Sequence, residues 1–148
     1  MTSADEQYSD DSLRRLLTEC RTIAMVGASD DPARDSHGVM RYLQQNGYRV
    51  IPVNPTIAGE ELLGEVAYSA LADIPHSFDL VNVFRKVEAV PGIVDEVLSL
   101  REEKEIQVLW LQLGVADTKA AERARAGDIT VVMNRCLKIE HSRLMRRS

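Results

Sequence analysis

The stretch Thr22-Ile-Ala-Met-Val-Gly27, followed by Ala28-Ser-Asp-Asp-Pro-Ala-Arg-Asp-Ser36 and His37-Gly-Val39, decides the fold. A short apolar run that stops at a glycine reads as a strand of a parallel sheet, buried on both faces. A polar loop, Ala28 to Ser36, separates it from a helical stretch, Gly38 to Asn46, with Val39, Tyr42 and Leu43 on one side. Glycine at the strand end lets the chain turn sharply and approach a ligand closely. The helix start that follows offers free N–H groups and a partial positive charge, which suit a phosphate. Within this loop Ser36 is expected to cap the helix, and Arg34 to meet phosphate oxygens bidentately. The competing reading is an ordinary strand–loop–helix turn with a surface arginine.

Outward from this unit the pattern repeats. Gly47 is a natural residue to end the helix, because glycine enters the left-handed region cheaply. A second strand, Tyr48 to Val53, halts at Asn54-Pro55, and its Pro52 belongs at an edge or an irregularity, since proline cannot donate to a ladder. The region from Thr56 to Pro75 is less regular, with a short strand expected at Glu65 to Tyr68 and a helical turn at Ser69 to Ala72. Further strands are expected at Asp79 to Phe84, Gln107 to Leu111 and Ile129 to Met133. The helices between them open near Pro91, which suits a first turn, and at Asp117, a good N-cap. A short helix after Ser9, Asp10 and Asp11 precedes the first strand, and a basic helix closes the chain. Residues 1 to 8 are expected to form a disordered lead, and residues 9 to 148 one domain.

Alternating strands and helices imply an α/β class: a single Rossmann-like domain with a mostly parallel sheet, helices on both faces and a ligand crevice at the carboxyl ends of the strands. The residues just after each strand therefore carry the functional information.

Composition limits what such a crevice can hold. The chain has 148 residues, a formal net charge of −5, 45% hydrophobic residues and 28% charged residues. One domain of that size needs no metal or disulfide staple. The negative balance speaks against nucleic acid and anionic membranes, so an anionic ligand has to be held by a local device. No apolar run approaches the roughly 20 residues of a membrane span, and Met1 to Asp11 carries no signal-peptide core. Two cysteines, Cys20 and Cys136, do not make a disulfide framework and point to a reducing, cytoplasmic compartment. His37, His76 and His141 show no metal-ligand spacing, so no metal site is expected. Asp30, Asp31 and Asp35 read as a solvated acidic loop. No serine sits in a Gly-x-Ser-x-Gly elbow, and no catalytic residue is assigned. Cys136 follows the last strand, where it is either a small buried hydrophobe or a thiol within reach of ligand.

Two nucleotide motifs are excluded. The first loop has Gly-x-Ser, not the dinucleotide fingerprint, and the second strand ends in Val53-Asn54-Pro55 without the acid that binds an NAD ribose. No Gly-Lys-Ser/Thr makes a P-loop.

With Val26-Gly-Ala-Ser29, Val53-Asn-Pro55, Val83-Phe-Arg85, Trp110-Leu-Gln-Leu-Gly114 and Asn134-Arg-Cys136 with Glu140 in place, the chain resembles the small stand-alone CoA-binding domain proteins. These are similar in fold to the N-terminal domain of the succinyl-CoA synthetase alpha subunit. The resemblance runs from about residue 13 to 144. It implies coenzyme A as ligand, with Gly27, Ala28, Ser29 and Arg34 lining the phosphates. Val53, Asn54 and Pro55 would flank the adenosine, and Phe84 and Arg85 the next stretch. Gln112 and Gly114 would border the pantetheine path. The pattern Arg135, Cys136 and Glu140 is matched without an implied role. No partner domain with the synthetase's phosphohistidine is recognised and His37 does not match that residue, so ligase activity is not implied. The expectation is a module that binds CoA or an acyl-CoA. The alternative is an NAD(P)-dependent or acyl-CoA-handling enzyme. A protein partner and a homo-oligomer both stay open.

Overall fold

A computed structural model describes residues 9–145. The expected lead over residues 1 to 8 lies outside the described residues, as does the Arg146-Arg147 pair.

Strands β1 (Thr22–Val26), β2 (Arg49–Val53), β5 (Leu80–Val83), β6 (Val108–Leu111) and β7 (Thr130–Val132) form one parallel sheet in the order β2-β1-β5-β6-β7. The helices between and around them are α1 (Asp10–Glu19), α2 (Asp35–Gln45), α3 (Val90–Lys104), α4 (Thr118–Ala126) and α5 (Leu137–Leu144). Because side chains alternate across a strand, each strand feeds two cores. Ala24, Ile51, Val81, Val83 and Leu109 face one side, under Ile93, Val94 and Val97 of α3 and Ala120, Ala121 and Ala124 of α4. Ile23, Met25, Leu80, Val108 and Trp110 face the other, under Leu13 and Leu17 of α1, Val39, Met40 and Leu43 of α2, and Leu137 and Leu144 of α5. The layered architecture is the one the alternating pattern implies.

Pro52 lies on β2, the sheet edge, opposite Met25. Its missing N–H costs nothing there. The outer side is partly used: Tyr68 N donates to the Pro52 carbonyl and Asn54 N to the Tyr68 carbonyl.

Three local expectations need correction. Ser36 does not cap α2. The helix starts three residues before Gly38, with Arg34 at the N-cap and no side-chain cap bond, and Ser36 is a buried residue of its first turn. The 56–75 region contains a hairpin, β3 (Glu61–Leu62) paired antiparallel with β4 (Glu65–Val66), of which only the second strand is expected from sequence. Its two-residue loop has positive φ at both Leu63 (+49°) and Gly64 (+85°), the combination a right-twisted hairpin requires. Leucine is a rare residue there, which hides the turn. The helical turn falls at Leu71–Asp73, displaced from Ser69–Ala72.

Candidate functional site

Sheet order brings the segments after β1, β2, β5, β6 and β7 to one end of the molecule. There they enclose two adjoining clefts with a shared wall of Ala33, Arg34, Asp35 and Phe84.

The first cleft, about 530 Å³, is lined by Gly27, Ser29, Ser36 and Asn54 besides that wall. Its loop is stiffened from within: Ser29 Oγ accepts from Asp31 N at 3.0 Å, and Asp31 Oδ1 from Ala33 N at 2.9 Å. Such side-chain turns replace ladder bonds in a loop. Gly27 has φ +90°, and a Cβ there would lie 2.6 Å from the Phe84 carbonyl oxygen. The glycine is thus demanded by the approach of the β1 and β5 ends, irrespective of any ligand. Asn54 fastens the end of β2 to the same loop: Nδ2 donates to the Ala28 carbonyl at 2.8 Å, and Oδ1 accepts from Thr56 N and Oγ1. The amide thus spends its Oδ1 and one of its two Nδ2 hydrogens on the protein.

The second cleft, about 740 Å³, continues along the carboxyl ends of β5 and β6 to the start of α5. Arg85 and Lys86 follow β5, Gln112, Leu113 and Val115 follow β6, and Cys136, Lys138 and Ile139 come from the start of α5. Leu113 is 61% and Ile139 54% exposed, giving this cleft an apolar rim. Gln112 is buried, and its Oε1 accepts from Asn82 Nδ2 at 3.4 Å. Around the two clefts Arg34, Arg85 and Lys86 are exposed and make no ion pair among the described residues. Arg135, by contrast, is tied to Glu140 at 2.8 Å, and Arg143 bonds the same carboxylate at 2.9 Å.

Of the twelve residues singled out in the sequence, Gly27, Ser29, Arg34, Ser36, Asn54, Phe84, Arg85 and Gln112 line these clefts. Ala28 and Val53 are buried beneath them, with no surface to offer. Pro55 is exposed outside the cleft walls. Gly114 (φ +88°) donates its N–H to Asn134 Oδ1 at 2.7 Å, beside the wall formed by Leu113 and Val115. Lys86, Lys138 and Ile139 were not singled out. Lys86 directly follows Arg85 and was legible as a second cation after β5. Lys138 and Ile139 enter only because α5 folds back over β6 and β7.

Among the described residues no three His, Cys, Asp or Glu side chains come together as a metal site, and no helix is long and apolar enough to cross a membrane.

The chain is 40% identical to the YneT protein of Bacillus subtilis over 130 residues, 88% of this chain and 92% of that one. The structure of cell-free ID.343 from Thermus thermophilus superposes with a TM-score of 0.86 at 43% identity, covering 92% of this chain and 98% of that one. A segment of 64 residues, 43% of this chain, is 38% identical to the alpha subunit of an ADP-forming acetate–CoA ligase II from Pyrococcus furiosus. It spans only 14% of that subunit. The model of the CoA binding domain matches residues 21–142, from the start of β1 into α5, and the chain belongs to that family.

Proposed function

We propose that this chain binds coenzyme A or an acyl-CoA in the paired clefts. The nucleotide phosphates lie against the first loop and Arg34, and the pantetheine arm runs along the second cleft. The observation that carries this reading is the set of uncompensated cations, Arg34, Arg85 and Lys86, around clefts in a chain of net charge −5. Cations left without partners in an acidic protein are available to an anion, and CoA brings several phosphates. The apolar rim at Leu113 and Ile139 suits an arm that is largely hydrocarbon and amide. Membership of the CoA binding domain family supports the same ligand.

NAD is disfavoured on a separate ground. The position after β2 that would need an acid for the ribose is Asn54, whose Oδ1 already accepts from Thr56 N and Oγ1.

Calorimetric titration tests the reading. CoA is expected to bind in the micromolar range and NAD⁺ far more weakly. Arg34→Ala and Arg85→Ala are each expected to cost about tenfold to hundredfold in affinity, because a hydrogen bond to a charged phosphate is worth roughly 1.5–3 kcal/mol. No heat with CoA, or equal affinity for NAD⁺, refutes it. Wild-type affinity in both variants would move the phosphates elsewhere.

A further inference from the structure

We propose that Cys136 captures a CoA thiol covalently, by exchange with CoA disulfide bound in the second cleft. The inference rests on the reading of that cleft as a CoA site. Two independent observations support it.

The first is the position of the sulfur. Cys136 is a free, half-buried thiol at the N-cap of α5, in the wall of the second cleft, and its side chain makes no capping bond. The other thiol is a contrast. Cys20 is 2% exposed, and burial, helped by the charges of Asp79 and Glu19, pushes it up to about 12. Thiolate is the reactive form, so Cys20 is shielded both sterically and electrostatically.

The second is Gln112. It is only 7% exposed and forms part of the same cleft wall, yet its Nε2 has no hydrogen-bond partner among the described residues. Directly behind it, Asn82 is fully buried and its Oδ1 is also without a partner. The Gln112 Nε2 is thus free to donate into the cleft, where a ligand carbonyl could accept from it. The pantetheine arm carries two amide carbonyls.

Sheet order puts these groups in the sequence such a ligand needs. The loop after β1 comes first, then Arg85 after β5, Gln112 after β6 and Cys136 after β7. Three strand spacings of ~4.8 Å separate β1 from β7, about 15 Å, a span an extended pantetheine arm covers.

The exchange balances without a further reactant. Cys136 loses its proton to solvent, and the thiolate attacks one sulfur of CoA disulfide. The protein–CoA S–S bond forms as the CoA–CoA S–S bond breaks, and the departing CoA thiolate takes up a proton. The protein sulfur is oxidised to the disulfide level, and one CoA sulfur is reduced to the thiol.

The full chain is incubated with CoA disulfide or, separately, glutathione disulfide, and followed by intact mass and peptide mapping. Reduced CoA is titrated calorimetrically in parallel, under reductant. The expected result is one CoA adduct per chain, on Cys136, removed by dithiothreitol and missing in Cys136→Ser. It forms about tenfold or more faster than the glutathione adduct, because binding places the sulfurs together, and a CoA analogue lacking the thiol slows it. If reduced CoA binds but no adduct forms on Cys136, the inference is overturned while the binding reading stands. An adduct on Cys20 alone, or equal rates with the two disulfides, overturns it in the same way. Absence of CoA binding overturns the binding reading and this inference together.

Discussion

Gly27 and Gly38 sit in the walls of the two clefts, but backbone geometry gives them opposite tolerances. At Gly27 the backbone has φ +90°, and a Cβ would meet the Phe84 carbonyl oxygen at 2.6 Å. Gly27→Ala therefore combines a left-handed strain with a backbone clash. The expected loss is ~2 kcal/mol or more. Gly38 lies inside α2, exposed, with nothing within 4 Å of a built Cβ. Gly38→Ala should stabilise by roughly 0.5–1 kcal/mol, since alanine gives up less backbone freedom in a helix. Urea midpoints of the two variants against wild type check the pair. Equal midpoints at Gly27→Ala would show that the β1 and β5 ends can separate. At this scale the strand-end glycine was legible from sequence, but its reason was not: the neighbour that demands it is Phe84, just past the end of β5 and 57 residues away along the chain.

At the scale of elements, local chemistry decided most starts and stops. Asp117 caps α4 through a 3.0 Å bond from Ala120 N, and Ser9 caps α1 through Ser12 N. Pro91 lies in the first turn of α3, and Gly47 follows α2 with φ +90°. Replacing Asp117 by alanine should cost about 1 kcal/mol, or about 4 °C in Tm for a domain of this length. Thermal unfolding followed by circular dichroism measures it, and an unchanged Tm would mean that water replaces the cap at no cost. Two of these elements departed from expectation. Helix α2 begins at Asp35 with no side-chain cap, and Ser36 turns inward to a buried place beside Val39. The β3–β4 hairpin is held to the sheet edge through Tyr68, which bonds the backbones of Pro52 and Asn54. Neither event has a local signature.

At the scale of the whole molecule, His141 ties three separate helices and the sheet edge together. Its Nδ1 shares a 2.8 Å hydrogen bond with Tyr42 on α2, and its ring meets Tyr42 and Tyr48 edge-on at 5.4 and 5.5 Å. The Tyr48 hydroxyl donates to the Leu17 carbonyl on α1, and Arg21 stacks over the Tyr48 ring. Lys138 lies over the Tyr42 ring. Burial, and then the charge of Arg21, hold the His141 imidazole below its ordinary 6.5. A histidine with a depressed folded value binds protons more readily in the unfolded chain. Stability is therefore fully present above about pH 6.5 and falls as the pH drops from there through the folded value. Wild type should lose stability as the pH falls below about 6.5, and His141→Gln should remove part of that slope. Urea midpoints across this range decide it. Parallel profiles for the two proteins would show that the folded and unfolded imidazoles titrate alike.

By itself the sequence determined the class of the fold and the end of the sheet at which the strand-end loops gather. Buried strands read as apolar runs, their period alternates with helical stretches, and glycine and proline punctuate them, all of which are local properties of the chain. It also marked most of the loop residues that line the clefts, because a parallel sheet necessarily collects its strand ends on one side. Only the tertiary structure decided which of them present a surface. Ala28 and Val53 lie under the loop, Asn54 is anchored by its neighbours, and Arg34 and Arg85 stay uncompensated while Arg135 is paired. It also brought Lys138, Ile139 and Cys136 to the cleft beside Gln112. Those facts depend on which strands lie next to one another and on where α5 returns. Burial and pairing are settled by contacts between distant residues, which no window along the chain contains.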